Sequence, residues 1–334
     1  MNGGPSVSVV IPCRNEVRHI EKCVRSVLRQ HPPEGGFEII VADGLSEDGT
    51  REILVRLANE DRRLRMINNP QRITPSAMNA GIREARGRYV AIMGAHTEYA
   101  PSYLRICVEL LETHPEAWCT GGPIISRGQS PFGQAVALAM SHPAGVGNAK
   151  HRFPEYEGYA EGACFPVFRR EVFDTVGLYD ESLARNQDDD LNYRIAIAGG
   201  KVFISPRAGC AYFVRDAPLA FFRQYFDYGY WRVAVLRKHR FPASLRQMIP
   251  IVFFGLVFVL FPTTFWLSGW WRLVGTSLPL AYATVLGGVA AHVAMKSGVR
   301  IGLLFGIAAA VMHFAYAAGF GWAIIRPYRE GYSA

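Results

Sequence analysis

The stretch Val7–Glu16 reads VSVVIPCRNE. A short β-branched run stops at Pro12 and opens at once into Cys13-Arg14-Asn15-Glu16. A buried strand running out into a charged turn is the expected structure. Working outward, IEKCVRSVL places Ile20, Cys23, Val24, Val27 and Leu28 at helical spacing, and FEIIVAD (Phe37–Asp43) is a second buried strand. REILVRLA then carries Ile53, Leu54, Leu57 and Ala58 on one helical face, and RLRMIN is a third strand. TPSAMNAGIREARG follows as a helix, with Thr74 expected as its N-cap, Pro75 at its first helical position and Gly87 as its stop. YVAIMGA is a fourth strand and PSYLRICVELLETH another helix. Such alternation predicts an α/β fold, a mostly parallel sheet with helices on both faces, whose ligands bind beyond the carboxyl ends of the strands. Three polar clusters then share one rim: residues 13–16, Asp43 to Thr50, and Gly94 to Glu98. A dinucleotide-binding dehydrogenase is excluded, because the first turn lacks a Gly-x-Gly-x-x-Gly run.

The chain of 334 residues is half apolar and 19% charged, which fits neither a disordered nor a fibrous protein. From Ile249 onward the only charges are Arg272, Lys296, Arg300, Arg326, Arg329 and Glu330, yet this tail carries half of the net +8. It contains three uncharged apolar stretches, Ile249–Leu267, Leu273–Ala294 and Ile301–Ile325. Each approaches the roughly 20 residues that cross a bilayer, so about three transmembrane helices are expected. The N-terminus is not read as a signal peptide. Arg232, Arg237, Lys238, Arg240 and Arg246 before the first stretch then place residues 1–248 in the cytoplasm by the positive-inside rule, and the chain in the cell inner membrane as a multi-pass protein. Arg326 and Arg329 would fall outside if all three stretches span. Six cysteines without a Cys-x-x-Cys pair read as reduced core residues.

The pieces VSVVIPCRNE, EIIVADGLSEDGT, MNAGIREARGRYVAIMGAH, FRREVFDTVGLYDESL and NQDDDLNYRI, in this order, resemble the inverting family 2 glycosyltransferases. The continuation FRQYFDYGYWR followed by apolar stretches is similar to the succinoglycan-type glucosyltransferase branch, which builds bacterial exopolysaccharide on a lipid carrier. The resemblance implies a GT-A nucleotide-sugar-binding domain, a Rossmann-like mixed sheet with helices on both faces, over residues 1–216. An amphipathic interfacial segment over 217–248 and a transmembrane region over 249–334 complete the expected organisation.

The resemblance also implies roles, residue by residue. Asp43 matches the second-strand acid that contacts the nucleotide base, while Asp48-Gly49 beside it reads as an ordinary turn. Pro12, Asn15 and Glu16 match the first-strand loop of the donor pocket, and Arg72 and Asn79 lie on a segment that lines it. Asp188 matches the general base, Gln187 standing before it where the family has glutamate, with Asp189 and Asp190 following. An acid run is also what opens a helix, since carboxylates favour helix N-termini. The family's Asp-x-Asp metal motif aligns with Gly94-Ala95-His96. Three outcomes are open there: His96 with help from Glu98 holds a divalent metal, Mn2+ in preference to Mg2+; or Arg215 and Arg232 neutralise the diphosphate; or His96 is a solvated turn residue.

In residues 221–240, Phe222, Phe226 and Tyr230 recur every four residues and would form one apolar side, with Gln224, Trp231 and Arg232, together with Asp189 of the acid run, at the acceptor or membrane interface. Position beside the first apolar stretch favours membrane lipids over nucleic acid as the partner of these basic and aromatic residues. The expected activity is transfer of a sugar from a nucleotide-sugar donor, a UDP-sugar favoured, to a lipid-linked acceptor. A polyprenyl-phosphate glycosyltransferase and an inactive nucleotide-binding membrane scaffold are the alternatives.

Overall fold

The computed structural model describes residues 4–240, 245–266 and 268–326. Leu267, the end of the first apolar stretch, and Arg329 and Glu330 of the tail lie outside the described residues. In chain order the first elements are β1 (Val7–Cys13), α1 (Ile20–Leu28), β2 (Phe37–Asp43), α2 (Thr50–Glu60), β3 (Leu64–Asn68), α3 (Thr74–Glu84), β4 (Tyr89–Ile92) and α4 (Tyr103–Thr113). Then come β5 (Ala117–Gly122), β6 (Ile124–Arg127), α5 (Pro131–Ala139), α6 (Pro143–Val146), β7 (Gly158–Ala160) and β8 (Cys164–Arg169). The chain continues with α7 (Glu171–Val176), α8 (Gln187–Ile197), β9 (Lys201–Ile204) and β10 (Cys210–Phe213). Four helices end it: α9 (Pro218–His239), α10 (Ile249–Thr263), α11 (Trp270–Ser297) and α12 (Val299–Ile325). The chain divides into two compact units, residues 1–125 with 153–212, and residues 126–152 with 213–332.

The first unit is built on an eight-stranded sheet of order β3-β2-β1-β4-β8-β5-β9-β7, and β6 and β10 form a separate pair. β3, β2, β1 and β4 are parallel, β8 is antiparallel to both β4 and β5, and β7 is antiparallel to β9. The sheet is therefore mixed, with its parallel part where the sequence alternates strand and helix. β2 is buried at every position, as a strand covered on both faces must be. Register puts Pro12 beside Ala42 and Cys13 beside Asp43, so the two loops that follow leave the sheet together. One core lies on the α1, α2 and α4 side and includes Val9, Ile11, Ile39, Leu54 and Leu111. Another, with Val10, Ile40, Ile82, Phe168 and Ile195, lies on the other face. All six cysteines are free and buried.

One expected boundary is corrected. Ile73 occupies the cap position of α3 in extended geometry, so Thr74 is the first helical residue, and the helix stops at Glu84 rather than at Gly87. Instead, Gly87 donates its N–H to Ser8 Oγ at 2.8 Å, a bond to a strand far away in sequence that local pattern does not announce.

In the second unit, three segments are long and apolar enough to cross a membrane: Leu245–Pro262, Gly275–Ser297 and Val299–Ile325. The expected apolar stripe of α9 is also corrected. Phe222, Phe226 and Tyr230 are only partly buried, whereas Phe221, Tyr225 and Gly229 form the buried line. The cause is a backbone crossing with α12: a Cβ placed on Gly229 would meet Tyr316 O at 2.0 Å, and one on Gly319 would meet Phe226 O at 1.9 Å. Small residues admit this close helix approach, and the buried line follows the glycine rather than the largest rings. One polar chain within the apolar helices is satisfied internally, as the lack of water there favours. His313 Nε2 lies 3.0 Å from Gly145 O and must donate to it, leaving Nδ1 to accept from the Tyr282 hydroxyl at 2.9 Å.

Candidate active site

A cavity of about 450 Å³ opens in the first unit at the carboxyl ends of β1 and β4. The β1 loop contributes Pro12, Cys13, Arg14 and Glu16 to its wall. Asn15 does not line it; with φ +54° it turns the loop and ties it to the next one. Its N–H donates to Ser46 Oγ at 2.8 Å and its Oδ1 accepts from Glu47 N–H at 3.1 Å. Glu16 N–H donates to Thr50 Oγ1 at 2.9 Å and Val17 N–H to Asp48 Oδ2 at 3.1 Å. Burial works against ionisation of Asp48, but the bonds from Thr50 and Val17 win and hold its carboxyl below the usual range. The turn reading of Asp48-Gly49 stands, with Gly49 at φ +99° before α2.

Asp43 is fully buried and lies outside the cavity wall. Its carboxylate accepts from Ser46 Oγ, from Ser46 N–H at 3.1 Å and from the Arg51 guanidinium. Arg51 donates onward to Asn68 Oδ1 at 3.0 Å, so Asp43 joins the ends of β2 and β3 to α2. Asn79 is likewise a strut. Its Nδ2 donates to Tyr179 O at 2.9 Å and to Glu181 Oε1 at 2.8 Å, and its Oδ1 accepts from Tyr179 N–H at 2.9 Å. Arg72, at φ +60° and well exposed, does line the cavity.

The β4 turn brings Gly94, Ala95 and His96 to the wall. His96 Nδ1 stands 3.4 Å from Glu16 Oε1, with the His96 side chain 63% exposed. Glu98, expected as its helper, is exposed and outside the wall, so the acid beside His96 comes from the β1 loop. Among the described residues no group of three or more His, Cys, Asp or Glu side chains is placed to hold a metal ion. Because β8 runs antiparallel to β4, with Ala91 opposite Val167, the start of β8 faces this turn and contributes Cys164 and Phe165.

Across the cavity, α8 starts after Asn186 at φ +60° and presents Gln187 and Asp188. Gln187 Oε1 is buried and has no hydrogen-bond partner among the described residues, an acceptor open to a ligand donor. Asp188 is exposed at the wall. The acids that follow have different surroundings. Asp190 is fully buried and pairs with Arg194 at 2.9 Å, while Arg194 also donates to Leu178 O at 2.8 Å. Asp190 is therefore a charge-paired anchor of α8. Tyr179 lines the cavity too, its phenol raised well above the usual value by burial first and by the charge of Asp188 second.

Arg215, Gln224, Trp231 and Arg232 belong to the second unit. Arg215 is exposed between β10 and α9. Gln224 Nε2 donates to the Tyr228 hydroxyl at 3.2 Å, and Trp231 and Arg232 are both only 6% exposed. The wall residues Phe165 and Tyr179 and the Asp43 partner Arg51 were not singled out by sequence. Phe165 sits inside an unremarkable apolar run, and the Asn79–Tyr179 pair spans 100 residues.

Residues 8–177 match the family model for Glycosyl transferase family 2. The chain belongs to this family and is a family 2 glycosyltransferase. It is 34% identical, over 96% of both chains, to the succinoglycan biosynthesis protein ExoA of Rhizobium meliloti. A second relative, at 24% identity over 76% of this chain and 79% of its own, is a dolichyl N-acetyl-alpha-D-glucosaminyl phosphate 3-beta-D-2,3-diacetamido-2,3-dideoxy-beta-D-glucuronosyltransferase of Methanococcus voltae. In fold the chain is similar to the mannosyltransferase PcManGT of Pyrobaculum calidifontis, solved with GDP-Man and Mn2+. The TM-score is 0.57 at 20% identity, covering 93% of this chain and 87% of that one.

Proposed function

We propose that this chain transfers a sugar, with inversion, from a UDP-sugar to a lipid-linked saccharide on the cytoplasmic face of the inner membrane, in exopolysaccharide or related glycan synthesis. The observation that carries the reading is the shared cavity: Glu16, Arg72 and His96 on the strand-end side face the same space as Gln187 and Asp188 at the start of α8. A nucleotide diphosphate on the first side leaves the anomeric carbon towards the second. Asp188 takes the proton of the acceptor hydroxyl as its oxygen bonds to that carbon. The carbon–phosphate oxygen bond breaks on the opposite face, and the diphosphate leaves with the electron pair. General-base help of this kind is worth about 10²–10⁴-fold. One relative's name, a transferase acting on a dolichyl-linked sugar, supports a lipid-linked acceptor, the succinoglycan relative's name supports exopolysaccharide synthesis, and the apolar helices supply the membrane.

His96 and Glu16 are the residues that fit a divalent ion, an imidazole and a carboxylate 3.4 Å apart on the cavity wall. Two protein donors leave room for phosphate oxygens, and a mixed nitrogen–oxygen set suits Mn2+ better than Mg2+. Bound there, the ion would supply positive charge to the departing diphosphate. The test is transfer by the purified protein in detergent from a panel of UDP- and GDP-sugars to a lipid extract, with Mn2+ or chelator and with Asp188→Asn. Transfer lost in Asp188→Asn and in chelator, with nucleotide binding retained, is the expected result. Transfer surviving chelator moves charge neutralisation to arginines. Nucleotide binding without transfer or donor hydrolysis refutes the enzyme reading in favour of a scaffold.

A further inference from the structure

Gly94 takes the place of the first acid in the turn where relatives carry Asp-x-Asp. A Cβ placed on Gly94 would lie 3.0 Å from Phe165 Cε1 and 3.6 Å from both Phe165 Cζ and Thr97 Oγ1. The first of these distances is too short for an ordinary contact, and a carboxyl group beyond that Cβ would need still more of the same space. The aromatic ring therefore crowds the space into which a side chain at 94 would extend, and must shift by a few tenths of an ångström to admit even its Cβ.

The ring is held there against a backbone cost. Phe165 has φ +46°, an outlier for a bulky residue, and it precedes Pro166, which restricts its backbone further. Such strain persists only where the surroundings over-determine it, and it concentrates at functional sites. Here the surroundings are explicit. The buried Tyr103 hydroxyl lies 2.9 Å from Cys164 O and 2.7 Å from Phe165 O, fixing the strained peptide. The Tyr99 ring meets the Phe165 ring edge-on at 5.2 Å, and the Tyr99 hydroxyl accepts from Gly94 N–H at 2.7 Å. Tyr99 thus clamps the missing side chain's backbone and the ring that replaces it. Both Gly94 and Phe165 lie on the cavity wall.

We propose that Phe165 is a positioning residue of the donor site: its ring excludes an acid at position 94 and so confines a cation bound with the donor diphosphate to His96 and Glu16. The proposal rests on the reading of the cavity as a nucleotide-sugar site. It makes Gly94 and Phe165 one coupled device, in which changing the glycine alone puts a carboxylate against the ring, and only changing both gives the cation a further oxygen ligand.

The experiment compares full-length wild type, Gly94→Asp, Phe165→Ala and the double variant in detergent. Mn2+ binding is read by electron paramagnetic resonance with UDP present, and folding by thermal melting; Gly94→Ala provides the milder probe should the aspartate variant not fold. The expected pattern is non-additive. Gly94→Asp or Gly94→Ala alone lowers the melting point and gives no gain in Mn2+ affinity. Phe165→Ala alone changes Mn2+ affinity less than threefold, and the double variant binds Mn2+ at least tenfold more tightly than wild type. An equal gain in Gly94→Asp alone overturns the proposal, because the ring then excludes nothing. No gain in a folded double variant, or no Mn2+ binding in any variant, overturns it as well. Absence of sugar transfer with the binding pattern intact overturns only the transferase reading.

Discussion

Replacing Asn79 with alanine separates a strut from a ligand. Asn79 is 2% exposed, and its amide satisfies both the N–H and the carbonyl of Tyr179 as well as the Glu181 carboxylate. Alanine leaves two backbone groups of Tyr179 without their partner, in a segment whose ring is itself only 5% exposed. A buried group deprived of its hydrogen bond costs about 1–3 kcal/mol, so two such groups bring the loss to about 3 kcal/mol when water recovers part of it. The Glu181 bond adds little, because that side chain is 37% exposed. For a unit of this size, about 2–4 °C per kcal/mol converts the loss to a melting point roughly 6–12 °C lower. Differential scanning fluorimetry of the detergent-solubilised protein measures this, with UDP affinity taken by calorimetry well below the new melting point. Affinity within about threefold of wild type is expected, since Asn79 is absent from the cavity wall. A melting point within about 2 °C of wild type, together with a tenfold loss of UDP affinity, would refute the strut assignment and restore Asn79 as a ligand.

The adjacent acids of α8 should behave oppositely. Asp190→Asn leaves Arg194 facing a neutral amide in a buried pair and is expected to cost about 3–5 kcal/mol, whereas Asp188→Asn should melt like wild type; a thermal shift comparison decides. Cys13 lines the cavity, yet burial first, and the nearby Asp43 and Glu16 charges next, push its thiol far above the ordinary value. A raised thiol pKa keeps the reactive thiolate scarce as pH rises through 8, so iodoacetamide should label Cys13 at least about tenfold more slowly than a free thiol. Rapid labelling in intact-mass spectrometry would contradict this environment. Gly229→Ala, which drives a Cβ to 2.0 Å from Tyr316 O, should abolish monodisperse protein in size-exclusion chromatography. Gly255→Ala, with nothing within 4 Å, should leave the profile unchanged.

Local sequence pattern determined much of this protein. Alternating β-branched runs and amphipathic helices define the α/β unit because burial on both faces demands continuous apolar strands, and VSVVIP and FEIIVAD supply them. Three uncharged stretches define the apolar helices, because few residue types are tolerated at that length. The convergence of Pro12, Glu16 and His96 on one rim was also legible, since loops at the carboxyl edge of parallel strands must converge, whereas Asp188 was reached only through the family resemblance. What each polar residue does there was decided by tertiary structure. Asp43 and Asn79 share the sequence character of ligands, and the structure shows them hydrogen-bonded to Arg51 and Tyr179, partners chosen by the fold. Glu16 replaces Glu98 beside His96 because β1 and β4, distant in sequence, end side by side. Gly94 looks like a simple loss in sequence. Only the antiparallel run of β8 next to β4 brings the Phe165 ring against the space beside it, because side-chain space is bounded by neighbours across the sheet as well as along the chain.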